Sequence, residues 1–205
     1  LCRNLIFSEE TMKLLSLALS SFFAATLPSS GDEIQSAIDE GIEAYGNEQY
    51  SQAASQFELA AQLLREMSGA SIAKALPAAP EGWTTDSEPD VQAVGASIMG
   101  GMTSASQTYS KDDSHVSIRI LSDSPMVGQI SMLINNPAMV RQMGQKVIKA
   151  GDAKGVLTYD ESSSTGSLSA VAMNRYFITV EGNKIDEDTI QEFLGLIDYE
   201  TLKQQ

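Results

Sequence analysis

The chain has 205 residues, with 13 Lys and Arg against 27 Asp and Glu and a formal charge of −14. An acidic surface has the wrong sign for a phosphate backbone or for anionic lipid head groups, so nucleic acid is not an expected partner. The single cysteine, Cys2, allows neither an internal disulfide nor a thiolate metal cluster.

The first pattern is MKLLSLALSSFFAATLPSSG, which begins at Met12. Lys13 supplies a short positive region and Leu14 to Ala25 an apolar segment. Ala24, Ala25, Thr26, Ser29 and Ser30 supply small residues for a peptidase. Together these are the parts of a secretory signal. The apolar run is shorter than the roughly 20 residues a membrane span needs. We therefore expect translation to start at Met12, residues 1–11 to be an upstream stretch, residues 12–30 to be a signal peptide cut between Ala24 and Gly31, and the protein to be periplasmic or secreted. Residues 1–30 carry two basic residues, Arg3 and Lys13, and two acidic ones, Glu9 and Glu10, so the charge of −14 stays with the remainder. The exported part has no cysteine, and no membrane span is expected in it.

Residues 31–70 read as a helical hairpin. Ile34, Ala37, Ile38, Ile42 and Tyr45 recur at three and four, as do Tyr50, Ala53, Ala54, Phe57, Ala60, Ala61 and Leu64, with a turn at Gly46-Asn47. Gly41, Tyr50, Ala53, Phe57 and Ala60 stand at spacings that resemble one tetratricopeptide repeat, over about thirty-four residues. Tyr45 falls one position late for that pattern, and Arg65 stands where the motif carries proline. The resemblance implies that small residues bring the helices close and aromatics fill the space between them. One such repeat does not bury its own apolar face, so the hairpin must pack on the rest of the chain or on another protein.

Residues 71–90 carry Pro77, Pro80 and Pro89, which forbid continuous helix, and read as a linker. Trp83, at the end of LPAAPEGW, is expected to dock the linker onto the second domain, residues 91–205. From residue 91 the period changes. Val116, Ile118 and Ile120 alternate with Ser117 and Arg119 in a hairpin with the strand before KDDS. Asp123-Ser124-Pro125 starts a helix, Asn135-Asn136-Pro137 breaks it, and a short turn of helix follows around Met139 to Met143. KVIKAG, GVLTYDE, SLSAVAMN and RYFITVEG then read as strands joined by tight turns, hence antiparallel. Asp186, Glu187 and Asp188 open a last helix whose apolar face is Ile190, Phe193, Leu194 and Ile197. The expected fold class is α+β, an antiparallel sheet covered by helices on one face. This part resembles the small sandwich of the photosystem oxygen-evolving PsbP proteins and Mog1, and no residue role is carried over from it.

No catalytic motif stands out, and the chain is expected to be a non-enzymatic binding or accessory protein that contacts another envelope protein. The candidate contact residues are Tyr45, Tyr50, Phe57 and Trp83. Two other readings have residues to support them. A hydrolase would use His115, the only histidine, with a serine and an acid, although no G-x-S-x-G elbow occurs. A cuprous-ion carrier would use thioethers such as Met99, Met102, Met139 and Met143, with His115 as an extra ligand, though methionines at helical spacing are ordinarily core filler. The acidic pairs Asp112-Asp113 and Asp160-Glu161 lack calcium-loop spacing and read as solvated turns. Gly100-Gly101 fits no phosphate loop, and no cofactor is expected.

Overall fold

The computed structural model describes residues 30–94 and 102–205. The signal-like stretch, Cys2, Met99 and Gly100-Gly101 lie outside the described residues. The architecture is α+β: a helical hairpin, then an antiparallel sheet with helices packed on it.

The hairpin is α1 (Ser30–Gly46) and α2 (Tyr50–Ala73). Ile34, Ala37 and Ala44 of α1 are buried along with Ala53 and Ala60 of α2, and these mostly small side chains let the helices lie close. Gly41 is the tightest point. A Cβ there would stand 2.6 Å from the ring of Phe57, so only glycine lets that ring cross α1 undisturbed. The intervening turn is closed by the Gln49 N–H donating to the Ala44 carbonyl at 2.9 Å.

α2 runs on past Ala70, where the sequence pattern ends, because its last turns have a partner the sequence does not display. Gly69 lies flat against Val91 and Thr103, with no room for a Cβ. Ile72, Ala75 and Leu76 then enter the main core. The 71–90 segment is also less free than a linker. Pro80 to Trp83 form a turn, with the Trp83 N–H donating to the Pro80 carbonyl at 3.0 Å. β1 (Thr84–Thr85) follows and pairs with the sheet.

The remaining elements are β2 (Asp90–Val94), β3 (Met102–Lys111), β4 (Ser114–Ser122), α3 (Met126–Ile134), α4 (Pro137–Gln142), β5 (Lys146–Ala150), β6 (Ala153–Asp160), β7 (Thr165–Ala172), β8 (Tyr176–Asn183), α5 (Glu187–Gly195) and α6 (Tyr199–Lys203). β1 and β2 share one edge of β3, and the order then runs β3-β4-β8-β7-β6-β5, all antiparallel. After β4 the chain leaves the sheet, crosses it through α3 and α4, re-enters at the far edge as β5, and returns strand by strand until β8 lies beside β4.

Strand alternation gives the sheet two unlike faces. One carries Tyr109, Val116, Ile118, Ile120, Leu157, Leu168, Ile178 and Val180, and is covered by the end of α2 and by α5 and α6. Helices cover part of the other face too, which differs from the one-sided expectation: Ile130, Ile134 and Val140 of α3 and α4 pack on Val156 and Phe177. A local helix pattern does not say over which side a crossover passes. The buried tyrosine hydroxyls are all satisfied. Tyr109 donates to Pro77 at 2.7 Å, Tyr176 to Leu202 at 3.1 Å and Tyr199 to Leu194 at 2.7 Å, each to a backbone carbonyl. Burial pushes the pKa of all three above the usual phenol value. Asp186 caps α5, accepting from the Thr189 hydroxyl at 2.5 Å and from the Thr189 N–H at 2.8 Å, and these bonds hold its carboxyl below the ordinary range. No described helix is long and apolar enough to cross a membrane.

Candidate functional site

The apolar arc of each hairpin helix is wider than the strip its partner covers. Ala53 and Ala60 face α1, while Tyr50, Phe57 and Leu64, one heptad apart, fall beside that seam. On α1, Ile38, Ile42 and Tyr45 fall beside it on the same side. Tyr45 and Tyr50 meet edge to face, with ring centroids 6.0 Å apart, and the Phe57 ring lies over Gly41. Tyr45 and Tyr50 remain 65 % and 63 % exposed, Ile42 59 % and Leu64 51 %. Isolated exposed apolar residues need no explanation, but a contiguous aromatic and aliphatic strip does. Asp39, Glu43, Glu48 and Glu58 are exposed along it. Between residues 31 and 69 there are eight acidic residues and one basic residue, Arg65. The opposite side of the hairpin is mixed: Gln56 donates to Glu40 at 2.7 Å beside a shallow hollow of about 290 Å³ that Leu59 and Leu63 also line, with no aromatic ring among its residues.

Thus three of the four candidate contact residues, Tyr45, Tyr50 and Phe57, come together on one surface. Trp83 does not join them. Its ring edge packs on Phe193 at 5.0 Å, and Phe193 in turn touches Tyr109 at 5.0 Å, so the indole fastens the 71–90 segment to the main core.

The sequence also left open a hydrolase site at His115. The structure brings an acid, a serine and this histidine together in an order unsuited to that chemistry. Ser110 Oγ donates to Asp86 at 2.9 Å, and His115 Nδ1 lies 3.0 Å from the same Oγ. A serine nucleophile is activated when the imidazole stands between it and the acid. Here the serine occupies the middle, its proton points at a carboxylate, and the imidazole is left exposed to solvent.

A depression of about 500 Å³ lies at the same end of the sheet between Trp83, Lys111, Ser114, Tyr159, Lys184 and Asp186. Its polar groups are largely occupied with one another. Ser114 Oγ donates to the Lys184 carbonyl at 2.6 Å, Tyr159 to the Ile185 carbonyl at 2.7 Å, and Lys184 pairs with Asp113 at 3.1 Å. Lys111 and Asp186 both line this space without an ion-pair partner among the described residues, Asp186 being bonded instead to Thr189.

Met139 and Met143 sit on and just after α4, with Met132 on α3 beside them. His115 is not near them. It lies at the far end of β4 from Leu121, the residue packed under α3 and α4, about 20 Å away at the rise of a strand. Among the described residues no group of three or more His, Cys, Asp or Glu side chains is placed to hold a metal ion. Comparison with protein-family models, with curated proteins and with solved structures finds no match.

Proposed function

We propose that this protein is an exported envelope protein that works by binding another polypeptide, without catalysis, and that the docking face is the strip Ile42, Tyr45, Tyr50, Phe57 and Leu64. The observation that carries this reading is the contiguity of two adjacent tyrosines, Phe57 and two aliphatic residues, all exposed, on one side of the hairpin. Removing apolar surface of this kind from water is the main driving force of association, and aromatic residues dominate the energetics of interfaces. The acidic rim adds a requirement on the partner: an apolar strip flanked by Lys and Arg, as on one side of a basic amphipathic helix. The signal-like stretch from Met12 supports placing this contact outside the cytoplasm.

The test is a photo-crosslinking amino acid placed at position 42 or 50 in the protein as expressed in its own host, with position 192 on the far helix α5 as control. Discrete protein adducts from positions 42 and 50, absent from 192, are expected. Equal, diffuse labelling from all three positions, or no adduct from any, would overturn the docking role.

A further inference from the structure

The fold carries a second exposed apolar surface, and its charge is opposite to that of the first. Met132 is 77 % exposed, and with Met139 and Leu133 it lines a largely apolar hollow of about 400 Å³ on α3 and α4, to which Gln129 and Asn136 also contribute, while Met143 is exposed just past α4. Methionine surfaces adapt their shape to bulky partners, aromatic rings included. Between residues 124 and 158 this chain of charge −14 reverses sign, with Arg141, Lys146, Lys149 and Lys154 against Asp152 alone. Lys146 is held by Glu187, and Asp152 is held by Lys203 at 2.7 Å. Arg141, Lys149 and Lys154 are exposed and in no ion pair among the described residues. Lys149 and Lys154 are cross-strand partners, on the same sheet face as Val147 and Val156 beside α3 and α4.

We propose that the occupant of the hairpin strip is a second copy of this chain, which presents its methionine-bearing α3–α4 surface, with Arg141, Lys149 and Lys154 meeting the acidic rim. The inference rests on the docking role proposed above. Two copies that meet at random repel, because both are strongly acidic. Setting the acidic hairpin, with eight acidic residues against Arg65 between 31 and 69, on the basic segment turns that repulsion into attraction and brings the two apolar surfaces together. The contact is heterologous. Two different surfaces meet, the hairpin strip of one copy and the α3–α4 side of the other, so each copy keeps one of each unused and assembly proceeds head to tail. The hairpin face is about 25 Å long from the seventeen residues of α1. That is the scale of a small, reversible interface rather than a permanent one.

Sedimentation velocity on the full chain over rising concentration tests this. The wild type is expected to shift from chain mass to at least twice that mass. A chain with Asp39→Lys and Glu58→Lys, and another with Lys149→Glu and Lys154→Glu, are each expected to stay monomeric alone and to associate when mixed, because each then meets its opposite. All four sites are exposed. Should a reversed chain misfold by circular dichroism, the neutral pair Asp39→Asn and Glu58→Gln is expected to weaken self-association several-fold. A wild type that is monomeric at every concentration, or reversed chains that associate alone as the wild type does, would overturn the proposal. A monomeric wild type whose position 50 still crosslinks a different protein would overturn the second copy and leave the docking face standing. With no adduct either, both would fall.

Discussion

Replacing Ile72 by alanine separates the part of α2 that belongs to the core from the part that does not. Ile72 has no exposed surface and packs beside Ala75, Leu76 and the sheet. The substitution removes three carbons, worth about 0.8 kcal/mol each in lost burial. The cavity left in a packed core brings the total to about 3–4 kcal/mol, within the range of such truncations. Against a typical stability of about 5–15 kcal/mol that is a large fraction. Urea unfolding can be followed by helical circular dichroism, which weights the hairpin, and by the fluorescence of the single tryptophan, Trp83, which reports the core at Phe193. Both midpoints are expected to fall together, because α2 is continuous from hairpin to sheet. Tyr50→Ala, which touches the strip and not the core, is expected to cost under about 1 kcal/mol. A loss below about 1 kcal/mol for Ile72→Ala, or a helical transition that shifts while the Trp83 transition stays put, would refute the reasoning.

Gly155→Ala is expected to destabilise by about 1–3 kcal/mol in the same assay, because a Cβ there would stand 2.5 Å from the Ser169 carbonyl and 2.7 Å from the Ala170 Cα, both backbone atoms that cannot swing aside. Stability should fall above about pH 10, the ordinary phenol value. The folded protein holds the protons of Tyr109 and Tyr199 because burial raises their pKa, while the unfolded chain releases them near that ordinary value. The contribution is complete below that value and is lost as pH rises towards the folded one, with a slope of about 1.4 kcal/mol per pH unit for each tyrosine. A flat profile from about pH 9 to 11 in urea unfolding would contradict this, and Tyr199→Phe should lessen the slope. His115→Ala is expected to leave the melting temperature within about 2 °C, since its ring is exposed and its one hydrogen bond is to Ser110. Abolition of a hydrolytic turnover by that change would revive the catalytic reading.

The strands and their turns were legible because the signal is local. Val116, Ile118 and Ile120 alternate with polar residues, and GDAKG and SSSTG mark connections too short for anything but hairpins. The docking of Trp83 was legible too, since a lone large side chain among prolines has little to do but anchor the segment. What was hidden depends on distant partners. Nothing around β4 announces that it pairs with β8, and nothing in MVGQISMLI says on which sheet face it will rest. The continuation of α2 to Ala73 depends on contacts of Gly69 and Ile72 with residues far along the chain. At the site, the sequence placed Tyr45, Tyr50 and Phe57 on the apolar arcs of the two helices, but it could not divide those arcs into a covered seam and an open strip. The basic side of α3 and α4 escaped notice for another reason: an average charge of −14 conceals a local reversal, which a running count of Arg141, Lys146, Lys149 and Lys154 would have found.

The central claim, that the hairpin strip is open in the isolated chain and covered in place, is tested most directly by hydroxyl-radical footprinting of the tyrosines. Dilute purified protein and the protein in intact cells of its host would be compared. Rapid oxidation of Tyr45 and Tyr50 in the first and protection in the second are expected, with Tyr109 and Tyr176 unreactive in both. Equal oxidation of Tyr45 and Tyr50 in the two settings would contradict the account.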